Sequence, residues 1–99
     1  MYSIEYFPFV RDDLREIENY LDEIDPGITD KVLIAIQESV QSLDEMPFRY
    51  PKYVYRPDYR VVSVYNYMIF YVVAEDRKVV EVRRILHSAR NLAHELYMI

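Results

Sequence analysis

The sequence lacks cysteine, and its 99 residues include a single glycine. Without cysteine the chain has neither a disulfide framework nor a thiol nucleophile, and it suits a reducing compartment. One glycine excludes the glycine-rich loops that hold phosphates in P-loop and dinucleotide-binding proteins. His87 and His94 stand seven residues apart without companions at metal-ligand spacing, so we expect no metal site and no cofactor.

A membrane-length apolar run is also missing. The longest apolar stretch, YMIFYVVA (67–74), is strand-sized, whereas a membrane-spanning helix needs about 20 residues. The N-terminal segment MYSIEYFPFV has no basic residues before an apolar run, so it does not read as a signal peptide. Hydrophobic residues make up 52% of the chain, and a chain of this length supports one core. We expect one cytoplasmic domain over residues 1–99, without a membrane partner.

Charge is divided between the two halves of the chain. Residues 1–45 carry twelve acidic and three basic side chains, a net charge of −9, whereas residues 46–99 carry five acidic and nine basic ones, a net charge of +4. An acidic half and a basic half suggest a partner that prefers one side of the molecule. Self-solvating acidic helices would give the same asymmetry, and the two interpretations are compatible.

The first half predicts two amphipathic helices. The apolar seam of the first is Val10, Leu14, Ile17, Leu21 and Ile24, and that of the second is Leu33, Ile36, Val40 and Leu43. Pro26 and Gly27 end the first helix, with Gly27 suited to the left-handed position that follows a helix. Thr29 or Asp30 is placed to cap the second helix, and Pro47 ends it. The two helices form an antiparallel hairpin that needs a sheet to bury against.

Strand patterns surround this hairpin. YSIEYF (2–7) predicts an N-terminal strand, and YRVVSVYN (59–66), YMIFYVVAE (67–75) and KVVEVRRIL (78–86) predict a three-strand C-terminal meander. The middle strand is apolar on both sides, as expected for a strand covered on both faces. Residues 88–97 predict a short C-terminal helix with Leu92 and Leu96 on one side. The fold class is therefore α+β: an antiparallel sheet with the helix hairpin packed on one face.

This order of elements resembles that of the RelE/ParE toxins of type II toxin–antitoxin systems. The match is most specific at YRVVSVYNYMIFYVV followed by VVEVRRILHSARNL. That tail looks like the ParE-type (plasmid stabilisation protein) ending, in which a strand runs into Arg-Ile-Leu-His-Gly and closes with an Arg-Asp pair. Ser88 stands at the usual glycine and Asn91 at the usual aspartate. The resemblance implies growth inhibition and a cognate antitoxin as partner, and it leaves the oligomeric state open.

Three functions follow from the resemblance. The first is a ParE-like toxin that blocks DNA gyrase, which the ending RILHSAR favours. The second is a RelE-like, ribosome-dependent and metal-independent mRNA endonuclease. The acidic net charge and the small number of lysines argue against this function, because binding to ribosomal RNA requires basic side chains. The third is a protein that keeps the fold and the antitoxin contact but has lost its toxicity, which Ser88 and Asn91 leave open.

A ribonuclease would need proton carriers and cations at the scissile phosphate. The candidates for such a catalytic site are Arg60, Arg84, His87 and Arg90. The alternative is structural: Arg83 or Arg84 pairs with Glu81 or with a helix carboxylate, and His87 hydrogen-bonds the backbone. Because two adjacent arginines interrupt the alternation of the last strand, one of them must leave the core face, at a bulge or at the sheet edge.

The segment FRYPKYVYRPDYR (48–60) interleaves tyrosines with cations. Tyrosine and arginine are frequent anchors of protein interfaces, and an antitoxin tail is the natural cover for the second face of the sheet. The predicted contacts are Tyr53, Tyr55, Arg56, Tyr59, Arg60 and Arg83. Plain packing at a sheet edge and stacking of nucleic-acid bases are the alternatives.

Overall fold

The computed structural model describes residues 1–97. The elements in chain order are β1 (Ser3–Tyr6), α1 (Pro8–Ile24), α2 (Pro26–Gln41), a 3-10 turn (Ser42–Asp44), β2 (Lys52–Tyr53), β3 (Arg56–Val64), β4 (Tyr67–Ala74), β5 (Val79–His87) and α3 (Leu92–Tyr97). The predicted α+β fold is confirmed, including the helix hairpin, the meander and the short C-terminal helix. No helix in this part of the chain is long and apolar enough to cross a membrane.

The five strands form one sheet in the order β1-β5-β4-β3-β2. β3, β4 and β5 are the predicted antiparallel meander, and β2 adds a short antiparallel edge. β1 lies parallel to β5, with Ser3 opposite Val79 and Tyr6 opposite Val82, so the sheet is mixed and not antiparallel throughout as predicted. Because β1 leaves the sheet after Tyr6, the second half of β5 has an open edge. The candidate site lies along that edge.

A single residue, Asp25, separates the two long helices. It is extended (φ −167°, ψ 110°), and its carboxylate accepts a hydrogen bond of 2.9 Å from the N–H of Gly27, so Asp25 caps α2. Pro26 disfavours a helical conformation at the residue before it and suits the first position of a helix. The expectation that Thr29 or Asp30 caps α2 is therefore wrong. Gly27 lies in the first turn of α2 without a positive φ, which also corrects the left-handed assignment.

The helices cover what we call the first face of the sheet. Its buried core combines Val10, Ile17, Leu21, Val32, Ile36, Val40 and Leu43 with Val62, Val64, Tyr67, Ile69, Tyr71, Val80, Val82 and Ile85. Burying one such side chain contributes about 1.5–3 kcal/mol, so this layer is the main source of stability. Ile24, predicted for the seam of α1, is exposed because the helix ends there, and Leu33 is only half-buried.

The opposite, second face carries a smaller core. Tyr59, Phe70 and Leu86 of the sheet pack there against Leu96 of α3. Leu92 of α3 adds to this contact, so the C-terminal helix covers one part of the face that the sequence left unaccounted for.

Candidate functional site

β5 contains one extra residue where the two arginines stand. Phe70 of β4 lies opposite Arg84, whereas the next residue of β4, Tyr71, lies opposite Val82, so Arg83 is left over in the pairing. Such a bulge turns two successive side chains towards the same side of the sheet. Arg83 and Arg84 therefore both start from the second face, while Val82 stays in the first-face core. The expected irregularity at the arginine pair is confirmed as a bulge.

Arg84 forms a buried ion pair with Asp13 of α1. Its Nε and Nη2 atoms donate hydrogen bonds of 2.8 Å each to the two carboxylate oxygens, and only 9% of the Arg84 side chain and 5% of the Asp13 side chain are exposed. Asp13 also accepts a hydrogen bond of 3.0 Å from the N–H of Ile85, so its carboxylate closes the open edge of β5. The hydrogen bond to Asp13 raises the pKa of Arg84 above its usual value.

Two further acids and one arginine extend this pair. Arg90, in the turn after β5, lies 2.7 Å from Glu16 of α1 and 2.6 Å from Glu95 of α3, and Glu95 also contacts Arg84 at 3.3 Å. The hydrogen bond from Arg90 lowers the pKa of the Glu95 carboxyl. We call Asp13, Glu16, Arg84, Arg90 and Glu95 the five-charge network. It ties α1, β5 and α3 together.

His87 ends β5 on the first face, opposite Tyr67. Its Nδ1 accepts a hydrogen bond of 3.0 Å from the N–H of Ala89, so the proton of the neutral ring is assigned to Nε2. The imidazole stands edge-on to the Tyr67 ring, with 5.3 Å between the ring centroids. His87 thus orders the turn that carries Arg90 and keeps one N–H donor available.

Arg60 lies elsewhere on the sheet. Its Nη1 atom donates to the carbonyls of Tyr50 at 2.7 Å and Phe48 at 3.4 Å, and Arg60 pairs with Tyr71 of β4. His87 pairs with Tyr67 on the other side of β4, four residues along the strand. That separation corresponds to about 13 Å along β4.

The four residues named for a nuclease are therefore not gathered around one point. Arg60 and His87 are at different ends of the first face, whereas Arg84 is buried at the edge of β5. Arg84 and Arg90 share one contact, through Glu95. Within residues 1–97, no three histidine, cysteine, aspartate or glutamate side chains are grouped so that they could hold a metal ion.

Five of the six residues named for the antitoxin contact lie together on the second face. These are Tyr53, Tyr55, Arg56, Tyr59 and Arg83, which we call the Tyr–Arg cluster. The guanidinium of Arg56 lies 4.7 Å from the centre of the Tyr59 ring and that of Arg83 lies 5.8 Å from it. Tyr53 packs edge-on against Tyr55, with 5.5 Å between ring centroids. The sixth residue, Arg60, is outside the cluster.

α3 borders the Tyr–Arg cluster. Arg56 donates a hydrogen bond of 3.0 Å to the carbonyl of Leu96, and it is held by Asp58, whose hydrogen bond raises the pKa of Arg56. The Tyr59 hydroxyl is buried and has no hydrogen-bond partner within residues 1–97. Beside it, Val61, Met68 and Val72 remain partly buried, so apolar surface continues past the edge of α3.

Asp13 is a site residue that the sequence analysis did not predict. It stands three residues after Val10 and four before Ile17, both in the first-face core, so it falls on the buried stripe of α1. A carboxylate on such a stripe is rare unless it is paired. An aspartate at a buried position of the helix could therefore have predicted a buried cation opposite it.

This fold is shared with toxin–antitoxin proteins of known structure. The structure is similar to the chromosomal ParDE toxin–antitoxin system of P. aeruginosa, with a TM-score of 0.73 and 20% identity over 88% of this chain and 96% of that one. It is also similar to the RelBE2 toxin–antitoxin complex of Mycobacterium tuberculosis, with a TM-score of 0.66 and 18% identity over 87% and 96% of the two chains. The intact E. coli RelBE complex matches with a TM-score of 0.63 and 15% identity over 91% and 100%. The class is the RelE/ParE-like fold.

The family follows from the sequence itself. Residues 4–92 match the model of the ParE toxin of the type II toxin–antitoxin system parDE. This chain belongs to the ParE toxin family. A search of curated proteins found no match.

Proposed function

We propose that this chain is the toxin of a type II toxin–antitoxin system and that it stops bacterial growth by blocking DNA gyrase without catalysing a reaction. Membership of the ParE toxin family supports the toxin assignment, and the ending Arg84-Ile85-Leu86-His87 supports gyrase as the target. A cognate antitoxin neutralises the toxin.

The proposal of a non-catalytic toxin rests on the contacts that the candidate arginines already make. Stabilising the charge of a scissile phosphate requires cations that are free to face it. Arg84 is buried and paired with Asp13 and Glu95, and Arg90, although 37% of its side chain is exposed, is paired with Glu16 and Glu95. Arg60 is bound to backbone carbonyls about 13 Å from His87 along the strand. The network instead fixes the shape of the β5 end, as a binding surface requires.

The second face suits the antitoxin. The Tyr–Arg cluster presents Tyr55, which is 74% exposed, beside partly buried Arg56 and Arg83. Apolar side chains of a tail that folds on binding would cover the partly buried strip around Val72. Arg56 and Arg83 are already paired with Asp58 and Glu81, so we expect the apolar strip and Tyr55 to supply the main contacts. The similar structures are a ParDE toxin–antitoxin system and a RelBE2 toxin–antitoxin complex, which supports a partner of this kind.

The test is to express the chain alone in bacteria and to label DNA and protein synthesis in short pulses, together with a supercoiling assay of purified gyrase. We expect DNA synthesis to fail first and supercoiling to be inhibited. Protein synthesis failing first, with cleavage of ribosome-bound mRNA, would transfer the assignment to a RelE-like endonuclease. Normal growth with soluble, folded protein would indicate a chain that has lost toxicity.

A matched variant separates the first two outcomes. In His87→Gln the side-chain oxygen can still accept from the N–H of Ala89 and the amide can still donate, but the residue can no longer exchange a proton near neutral pH. A gyrase-directed toxin should tolerate this change, whereas a nuclease that uses His87 as acid or base should lose about a hundredfold or more in rate.

A further inference from the structure

A cavity that the proposed function does not use lies between α1 and the ends of β4 and β5. Its volume is about 370 Å³, and its walls include Ile17, Tyr20, Tyr67, Ile85, Leu86 and Ala89. Its lining residues Ile17, Tyr67 and Ile85 belong to the first-face core, whereas the Tyr–Arg cluster proposed for the antitoxin lies on the second face. A bound antitoxin would therefore leave this cavity free.

The cavity contains polar groups without protein partners. Tyr67 lines the cavity with 95% of its surface buried, and its hydroxyl, which makes no hydrogen bond within residues 1–97, is open to solvent. Burial raises the pKa of Tyr67, so its hydroxyl stays protonated and can donate. His87 keeps its Nε2–H available at the same wall because Nδ1 is held by the Ala89 N–H. An apolar group that also brings a hydrogen-bond acceptor would satisfy this site.

An acidic stripe of α1 passes the cavity, and Glu16 is its one member that lines it. Asp12, Glu16 and Glu23 follow one another at intervals of four and seven residues, so they share the exposed side of α1 next to Tyr20, which is 56% exposed. Arg90 also lines the cavity, and its ion pairs with Glu16 and Glu95 offset the charge of Glu16 but not that of Asp12 or Glu23. Asp12 and Glu23 form no ion pair within the described residues.

The length of this acidic stripe decides what kind of occupant fits. Asp12 and Glu23 are eleven residues apart, which is about 16 Å along the helix axis. A single small ring in the cavity cannot reach both ends, whereas an extended segment of about five residues spans that distance.

We propose that this cavity receives one aromatic or leucine side chain from a basic segment of a second protein, whose lysine or arginine side chains lie beside Asp12 and Glu23. This proposal rests on the proposed function, since it identifies the surface through which the toxin binds its target. The apolar anchor excludes water from the cavity, a backbone carbonyl of the segment accepts from Tyr67 or His87, and the acidic stripe selects a basic partner.

Two changes test the anchor and the stripe separately. Ala89→Leu fills the cavity from an exposed position and leaves the backbone N–H to His87 intact. Its matched control is Ala93→Leu, the same change on the exposed side of α3. Asp12→Lys with Glu23→Lys reverses the stripe, and Asp30→Lys with Glu38→Lys on α2 is the control of equal charge. Unchanged thermal midpoints establish that the variants are folded.

Growth arrest is measured against the level of induced toxin, and supercoiling is measured with purified gyrase. We expect both cavity and stripe variants to need about tenfold more toxin, as for loss of an interface anchor, and both controls to match the wild type. If Ala89→Leu is inactive but the stripe variant is normal, the cavity takes a small neutral ligand and the proposal is overturned. Normal arrest by Ala89→Leu also overturns it.

The readouts distinguish this proposal from the one it rests on. Wild-type arrest without gyrase inhibition would refute gyrase as the target, while the variants would still decide the docking surface. A wild-type chain that arrests no growth would refute both.

Discussion

Removing Asp13 should be the most damaging single change to a charged residue of this protein. Asp13→Ala withdraws three accepted hydrogen bonds, two from Arg84 and one from the N–H of Ile85. It also leaves the Arg84 guanidinium, with 9% of its side chain exposed, without its main counter-charge. Breaking one side of a buried pair costs about 3–5 kcal/mol. Arg84 keeps its contact of 3.3 Å to Glu95, so we expect the loss of unfolding free energy to lie near the lower end of this range.

A loss of about 3 kcal/mol lowers the thermal midpoint of a domain of this size by about 12–24 °C. Urea unfolding at pH 7 measures the free energy directly, and circular dichroism gives the midpoint. The control is Asp58→Ala, which breaks the exposed pair with Arg56 and should cost at most about 1 kcal/mol. If the two variants lose equal stability, the pair between Asp13 and Arg84 is not the structural anchor described above.

The double variant Asp13→Asn with Arg84→Met sharpens the test. Asparagine still accepts from the Ile85 N–H, and methionine fills the volume without a charge, so stability should return to within about 1 kcal/mol of the wild type. Growth arrest should return with it if, as proposed, Arg84 holds the fold in place and has no catalytic role. A stable double variant that has lost toxicity would contradict this role and revive Arg84 as a phosphate-binding residue.

Three further predictions concern single positions. Tyr71 donates to the Pro47 carbonyl at 2.8 Å, and burial raises its pKa to about 12. Stability therefore falls as pH rises from about 10 to 12, where the unfolded chain ionises first. Tyr71→Phe should cost about 1 kcal/mol at pH 7, and urea midpoints should show this gap closing by pH 11. A constant gap would refute the assignment. Arg90 lowers the pKa of Glu95, so the stability it gives is complete above the usual carboxyl pKa and is lost as pH falls through the lowered one. Glu95→Gln should destabilise at pH 7 and match the wild type in strong acid, and equal midpoints at pH 7 would count against it. Lys78 has φ 54°, so Lys78→Gly should raise stability by about 0.5 kcal/mol. The control Asp76→Gly, at a position without a positive φ, should lower stability. The opposite order of thermal midpoints would argue against backbone strain at Lys78.

The sequence alone determined the architecture, because the relevant information is periodic and local. Apolar residues every three or four positions can only bury one side of a helix, and the alternating aliphatic runs of the meander can only pair as strands. The resemblance of the ending RILHSAR to ParE toxins was equally visible in the chain. Helix boundaries were less well determined: Asp25, before Pro26, competes with Thr29 and Asp30 as a cap, and only backbone geometry chose between them.

The candidate site was decided by tertiary structure. Whether Arg84 is free or buried depends on Asp13, which is 71 residues away in the chain. No local sequence pattern predicts a contact between residues so far apart. One extra residue at Arg83 changed which side of the sheet the arginines face, and a bulge is set by the fit of β5 to β4. The cavity beside Tyr67 likewise exists only because α1 crosses the end of the sheet there. Periodicity fixes which side of an element is buried, but contacts between distant elements fix which charges meet.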